Sequence, residues 1–139
     1  MKDTCVLTVP SHPKYLCMVR STTANLAELF GMSAAETEEV KHAVDEACSN
    51  VIKYAFRGRT DKKITIQYSL TKKGFEVVID DTGVKTEGKT VKGRDLNDVR
   101  PGGLGMHLIN KAFDVVSFED KKTKGNRLRL IKYRKYKRE

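Results

Sequence analysis

Apolar and polar positions along this chain switch between a period of two and a period near 3.6. Thr4–Val9 alternates and reads as a strand, closed by Pro10-Ser11-His12-Pro13. From Lys14 to Phe30, Leu16, Val19, Thr23, Leu26 and Phe30 recur at helical spacing, and Gly31 suits the cap that ends such a helix. Ser33-Ala34-Ala35-Glu36 is a capping box, in which hydroxyl and carboxylate satisfy backbone donors at a helix start. The helix it opens gathers Val40, Ala43, Val44, Ala47, Val51 and Tyr54 into one stripe and should end near Arg57-Gly58. Lys63–Leu70 alternates again, with Ile64, Ile66, Tyr68 and Leu70 on one face. Thr71–Gly74 reads as a hairpin loop, and Phe75–Asp80 as the buried returning strand. Residues 82–101 lack an apolar period, carry Gly83, Gly88, Gly93 and Pro101, and read as a loop. Leu104–Phe113 is expected to be a short helix, and Val115–Glu119 and Gly125–Tyr133 strands. Helices that can cover one face of these strands predict an α/β two-layer sandwich. Its sheet should be mixed but mostly antiparallel, because hairpins dominate the second half.

Composition narrows the class. A chain of 139 residues with 39% hydrophobic content fits one domain spanning 1–139, with 134–139 as a basic tail. No stretch approaches the roughly 20 apolar residues of a membrane span, so no membrane partner is expected. Met1–Leu7 has no apolar signal core, which predicts a cytoplasmic protein. Cys5, Cys17 and Cys48 form no CxxC pair and the three histidines have no metal-ligand spacing, so reduced thiols are expected. The formal charge is +9, yet residues 121–139 hold ten Lys or Arg and one acid, while residues 1–120 are balanced. A neutral body with a basic end reads as a solvated tail or a contact for an acidic protein surface. Nucleic-acid binding is disfavoured, since only Tyr133 and Tyr136 interleave aromatics there.

Candidate chemistry lies on the third element. Glu46 and Asn50 sit four residues apart and project together from one flank of the apolar stripe. A carboxylate and an amide at the edge of a core, facing Gly-rich loops, suggest a metal and phosphate site. Asp45 points about 100° away and is not a candidate. Each feature also has an ordinary reading. Glu46 could pair with Lys53 or Asn50, Asp81-Thr82-Gly83 could be a turn, and Gly102-Gly103-Leu104-Gly105 a hinge.

The segment Asp45–Phe56 resembles the N box of the GHKL ATPases (gyrase, histidine kinases, MutL and relatives). Asp81-Thr82-Gly83 is similar to their first glycine box and Gly103-Leu104-Gly105-Met106 to the second, in the same order and spacing. The short chain and brief lid resemble the bacterial anti-sigma-factor serine-protein kinase group, from about Thr4 to Tyr133. The resemblance implies ATP and Mg²⁺ as cofactors, with Asn50 as the metal ligand and Glu46 as general base toward a serine hydroxyl. It implies that Asp81 accepts from the adenine amino group and that Gly83 admits the base. Gly102, Gly103, Leu104 and Gly105 would bind phosphate, with Arg100 as a clamp one position before the family arginine. Asn126 stands where the family has threonine and keeps an adenine contact, and Lys85 replaces a second glycine of the first box. Lys85, Lys89, Lys92 and Arg94 fall in the lid.

Two functions follow from the resemblance. One is an ATP-dependent kinase that phosphorylates a STAS-type anti-anti-sigma protein and sequesters a sigma factor, in a chain that forms a homodimer. The alternative is a non-catalytic, nucleotide-switched binding module. An intact Glu46 favours catalysis.

Overall fold

The structure is a computed structural model that describes residues 3–86 and 101–134, the side chains of 101–105 excepted. Five strands form one sheet in the order β1-β2-β3-β5-β4, with β1 at Asp3–Pro10, β2 at Lys63–Leu70, β3 at Gly74–Asp81, β4 at Val115–Phe118 and β5 at Asn126–Tyr133. All four pairings are antiparallel, in a sheet expected to be mostly so. The β2–β3 hairpin is closed by Thr71, whose Oγ1 accepts from the Gly74 amide at 3.1 Å.

Helices α1 (Leu16–Phe30), α2 (Ala34–Asn50) and α3 (Pro101–Ala112) pack as the second layer. Helix α1 follows a short 3-10 turn at Pro13–Tyr15 and stops at Gly31, whose φ of 103° and amide bonds to Ala27 and Glu28 close the C-terminus. Both bonds of the expected capping box form: Ser33 Oγ accepts from the Glu36 amide and Glu36 Oε1 from the Ser33 amide, each at 3.1 Å. Ion pairing of Arg20 with Asp45 at 3.1 Å ties α1 to α2, which gives Asp45 a structural use.

The core is where the period-two faces of the strands meet the helical stripes. Ile64, Ile66 and Tyr68 of β2, Val77 and Ile79 of β3 and Leu130 of β5 are buried against Val19, Val40, Ala43 and Val44. Leu16 and Val19 of α1 belong to this core, and Leu26 packs at its edge. One polar pair crosses it. Thr23 donates to the Val19 carbonyl at 2.7 Å, and Tyr68 supplies the second bond to Thr23 Oγ1 at 2.7 Å. Alternate residues on the opposite face of the sheet form an ion-pair ladder: Arg129 bridges Glu76 and Glu119, and Asp80 takes Arg127 and Lys121. Cys5 and Cys17 are exposed and Cys48 is buried, all three as free thiols; burial pushes the Cys48 thiol far up.

Two elements depart from the sequence pattern. Helix α3 begins at Pro101 rather than Leu104, because proline presets helical φ and its missing N–H costs nothing in the first turn. The other departure follows Asn50, where Val51–Ala55 forms a π-helical turn closed by Phe56 N–H to the Val51 carbonyl at 2.9 Å. The wider turn rotates the chain, so Ile52, Ala55 and Phe56 are buried while Val51 and Tyr54 leave the expected stripe for a half-exposed position.

Tyr68→Phe should lower stability by about 1 kcal/mol, since Thr23 keeps its bond to Val19 but loses a buried partner. A melting temperature unchanged by the substitution would contradict that account of the core.

Candidate functional site

The π turn sets the geometry of the site. It aims the Ala55 carbonyl at the loop after β3, where it accepts from the Val84 amide at 2.8 Å. Gly83 lies so close that a Cβ there would stand 2.3 Å from the Ala55 oxygen. The structure thus requires glycine at 83 for the approach of two backbones, whatever else a bound base requires. By this junction the end of α2 is fixed to the end of β3.

Between them opens a pocket of about 410 Å³, partly open to solvent. Ile79, Phe118 and Leu128 of the sheet make one apolar wall, with Ala47, Val51 and Tyr54 from α2 and its π turn opposite. Met106 and Ile109 of α3 close the side. Four polar residues face in: Asn50, Asp81, Thr86 and Asn126. Apolar walls with a few fixed polar groups are the makeup of a small-molecule site.

Asp81 is 2% exposed at the end of β3. Its Oδ1 accepts from the Gly83 amide at 2.8 Å and from Asn126 Nδ2 at 3.0 Å, whereas Oδ2 has only a 3.3 Å contact to the same Nδ2. Oδ2 therefore keeps capacity to accept from a ligand amine. Burial pushes the Asp81 carboxyl above its ordinary value, against the opposing effect of those donors. Asp80, one residue earlier, goes the other way. Burial there is outweighed by hydrogen bonds from Lys121 and Arg127, which hold its carboxyl low. Lys121 Nζ also donates to the Asp81 carbonyl at 2.7 Å, clasping the β4–β5 loop to the end of β3.

Asn126 does more than line the pocket. Beyond Asp81, its Nδ2 donates to the Val84 carbonyl at 2.9 Å, and its Oδ1 accepts from the Thr86 amide at 2.9 Å. It straps the loop at 84–86 to Asp81. Gly125, which precedes it, has φ 104°, and a Cβ there would fall 1.9 Å from the Asp81 carbonyl oxygen.

Glu46 and Asn50 sit one turn apart on α2, and of the two only Asn50 is among the residues that line the pocket. The Asn50 side chain lines the pocket, and among the described residues its buried Oδ1 has no hydrogen-bond partner. A buried acceptor left unpaired is costly unless a ligand completes it. Glu46 is half-buried one turn earlier, and among the described residues its carboxylate has no ion-pair or hydrogen-bond partner. The ordinary pairing with Lys53 or Asn50 is not formed. One neutral oxygen is a suitable donor for Mg²⁺ that arrives on a nucleotide, because phosphates and water fill most of its shell. Among the described residues no cluster of three or more His, Cys, Asp or Glu could hold a metal by itself.

Gly102, Gly103, Leu104 and Gly105 fall inside the first turn of α3 rather than before it. First-turn amides lack intrahelical acceptors, so the phosphate reading moves onto the helix itself. Arg100 and the lid cations Lys89, Lys92 and Arg94 lie outside the described residues. Lys85 donates to the Lys121 carbonyl at 2.9 Å. Thr86, Gly125 and the π turn were not singled out as site features from the sequence; only glycine ahead of a strand gave any signal of them.

Two substitutions separate function from stability here. The raised pKa means that ionised Asp81 weakens the fold at neutral pH, a cost that vanishes once pH falls below the unfolded-state value. Asp81→Asn should therefore melt no lower than wild type at pH 7.5, with any gain gone below about pH 4, while ATP affinity falls at least about tenfold. A lower melting temperature at pH 7.5 would count against the buried-charge argument. Gly125→Ala should cost more than about 2 kcal/mol through positive φ and the clash with Asp81, read by denaturant unfolding.

A family profile described as the histidine kinase-like ATPase domain matches residues 9–132. The serine-protein kinase RsbW of Listeria innocua is 34% identical over 124 residues, covering 84% of this chain and 79% of that protein. RsbW of Bacillus subtilis is 25% identical over 126 residues, covering 85% and 79%. Among solved structures, the histidine kinase domain of a blue-light-activated histidine kinase from Erythrobacter litoralis shares the fold. Its TM-score is 0.55 at 13% identity, over 90% of this chain and 61% of that one. By the matched family profile and these relatives, this chain belongs to the GHKL, histidine kinase-like ATPases and, within them, to the anti-sigma serine-protein kinase group.

Proposed function

We propose that this protein is an ATP-dependent serine-protein kinase of the cytoplasm that phosphorylates a STAS-type anti-anti-sigma partner and, in exchange, sequesters a sigma factor. The observation that carries the reading is that, among the described residues, a buried acceptor, Asn50 Oδ1, has no partner, and neither has the carboxylate of Glu46 one helical turn away. A binding module without catalysis has no use for an uncompensated half-buried acid beside its pocket. Relatives that carry the name serine-protein kinase support the same reaction class.

In this reading Asp81 Oδ2 accepts from the adenine amino group, which guanine lacks, while the apolar walls hold the ring. Gly83 keeps the end of α2 against the loop, and Asn126 holds the root of the lid in register with Asp81. Asn50 Oδ1 would be one ligand of Mg²⁺, and the first-turn amides of α3 at Gly102, Gly103, Leu104 and Gly105 would hold phosphate oxygens, with Arg100 adding charge. Bound Mg²⁺ would draw charge from the phosphate oxygens. Glu46 accepts the proton of the incoming serine hydroxyl as the oxygen attacks the terminal phosphorus, so the leaving nucleotide departs as ADP and the serine becomes its phosphate ester. A homodimer belongs to the same reading.

Glu46→Gln should bind ATP within about threefold of wild type but transfer phosphate to a purified STAS partner at least about 100-fold more slowly. Asn50→Ala should lose the Mg²⁺-dependent part of ATP binding. Wild-type turnover in Glu46→Gln would remove the general base from this account.

A further inference from the structure

A second hollow, of about 650 Å³ and open to solvent, adjoins the nucleotide pocket at Ala55. We propose that it docks an acidic, partly apolar peptide segment of a protein partner. Four cations line it, Arg57, Arg59, Lys62 and Lys124, around apolar surface from Phe56 and Val84.

The charge is local. Residues 1–120 are balanced between acids and bases, yet Arg57, Arg59 and Lys62 from that body converge here with Lys124 from the β4–β5 loop. Asp61 takes Arg59 through two bonds of 3.2 and 3.0 Å, and Lys62 adds to the lowering of its carboxyl, behind the Arg59 bond. Among the described residues Arg57, Lys62 and Lys124 have no carboxylate at ion-pair distance. Among the described residues these four cations thus have one carboxylate partner, Asp61, and the Arg59–Asp61 fork shows that a guanidinium here takes a carboxylate in the two-bond geometry.

The groove is held in shape. Ser11 is fully buried beneath it, donating through Oγ to the Arg59 carbonyl at 2.8 Å and accepting from the Lys62 amide at 3.0 Å. Its own amide donates to the Lys62 carbonyl at 2.8 Å. Residues 59–62 are therefore pinned to the end of β1. Arg57 has φ 53°, uncommon for a residue with a side chain, and Gly58 follows at 83°. A docking surface whose loops are fixed in advance loses less entropy on binding.

The occupant follows from the lining. Carboxylates satisfy the guanidinium and ammonium groups, and Val84, 39% exposed, offers contact to an apolar side chain between them. A nucleic-acid strand would need a longer basic track and an exposed ring for stacking, and Phe56 is only 5% exposed. In the kinase reading this groove adjoins the end of the pocket that takes the base, so it would anchor a partner segment remote from the transferred phosphate, and only this last link rests on that reading.

The test is a titration of the nucleotide-free, ¹⁵N-labelled full chain with the peptide Asp-Leu-Glu-Leu-Asp-Glu. Single-stranded DNA of equal charge and inorganic phosphate are titrated in parallel. Amide shifts should concentrate at 55–62, 82–84 and 124. Arg57→Glu/Lys62→Glu should weaken the peptide at least about tenfold, while Arg134→Glu/Lys135→Glu leaves it unchanged. Shifts centred on 127–139, equal binding of the DNA or of phosphate alone, or no localised shifts would overturn the proposal. Shift mapping on the wild type decides even if a charge-reversed variant folds poorly. No nucleotide or turnover enters the measurement, so its failure is separable from failure of the kinase reading.

Discussion

The backbone junction between Ala55 and the Gly83-Val84 step is the constraint on which the site depends. Helix α2 and strand β3 belong to different layers, and their ends must meet for Asn50 and Asp81 to share one pocket. The π-helical turn after Asn50 makes that possible by turning the Ala55 carbonyl out toward the Val84 amide. It also sets Val51 at the edge of the core and, with Tyr54, on the pocket wall. An ordinary α-helical continuation would have buried them, as the stripe from Val40 to Tyr54 predicts. A local widening of one turn thus converts core surface into ligand surface.

The pocket concentrates the polar cost of the fold. Asp81 is a buried carboxyl whose pKa burial raises, and among the described residues Asn50 keeps an unpaired buried oxygen and Glu46 has no partner. Each is unfavourable alone, and a core of this kind would be more stable without them. The expense is contained by neighbours. Gly83 and Asn126 donate to Asp81, while Lys121 and Arg127 saturate Asp80 and anchor the adjoining loop. The two aspartates end one strand on opposite faces, and their environments move their pKa values apart.

Much of this was legible in the sequence because it rests on local chemistry. The capping box at Ser33, the stop at Gly31 and the alternation of β2 each follow from spacing and residue type. The pairing of Glu46 with Asn50 follows from helical geometry. Recognising the site as a nucleotide pocket came from the order of three boxes, since none of them alone would distinguish a ligand site from a turn. What stayed hidden depends on contacts distant in sequence. Nothing in Val51–Ala55 announces a π turn, which closes together with the contact to Gly83. The strap from Asn126 to residues 84–86 joins segments some 40 positions apart. The start of α3 was misplaced because three glycines in four residues weigh against a helix, whereas Pro101 favours opening one.

The measurement that tests the central claim most directly is calorimetric titration of the wild-type protein with ATP and with GTP, each with Mg²⁺ and with chelator. The account predicts saturable ATP binding that weakens when Mg²⁺ is removed, and GTP binding at least about tenfold weaker because guanine sets its O6 acceptor against Asp81 where adenine has its 6-amino donor. Equal binding of the two nucleotides, or no binding to a folded sample, would contradict it.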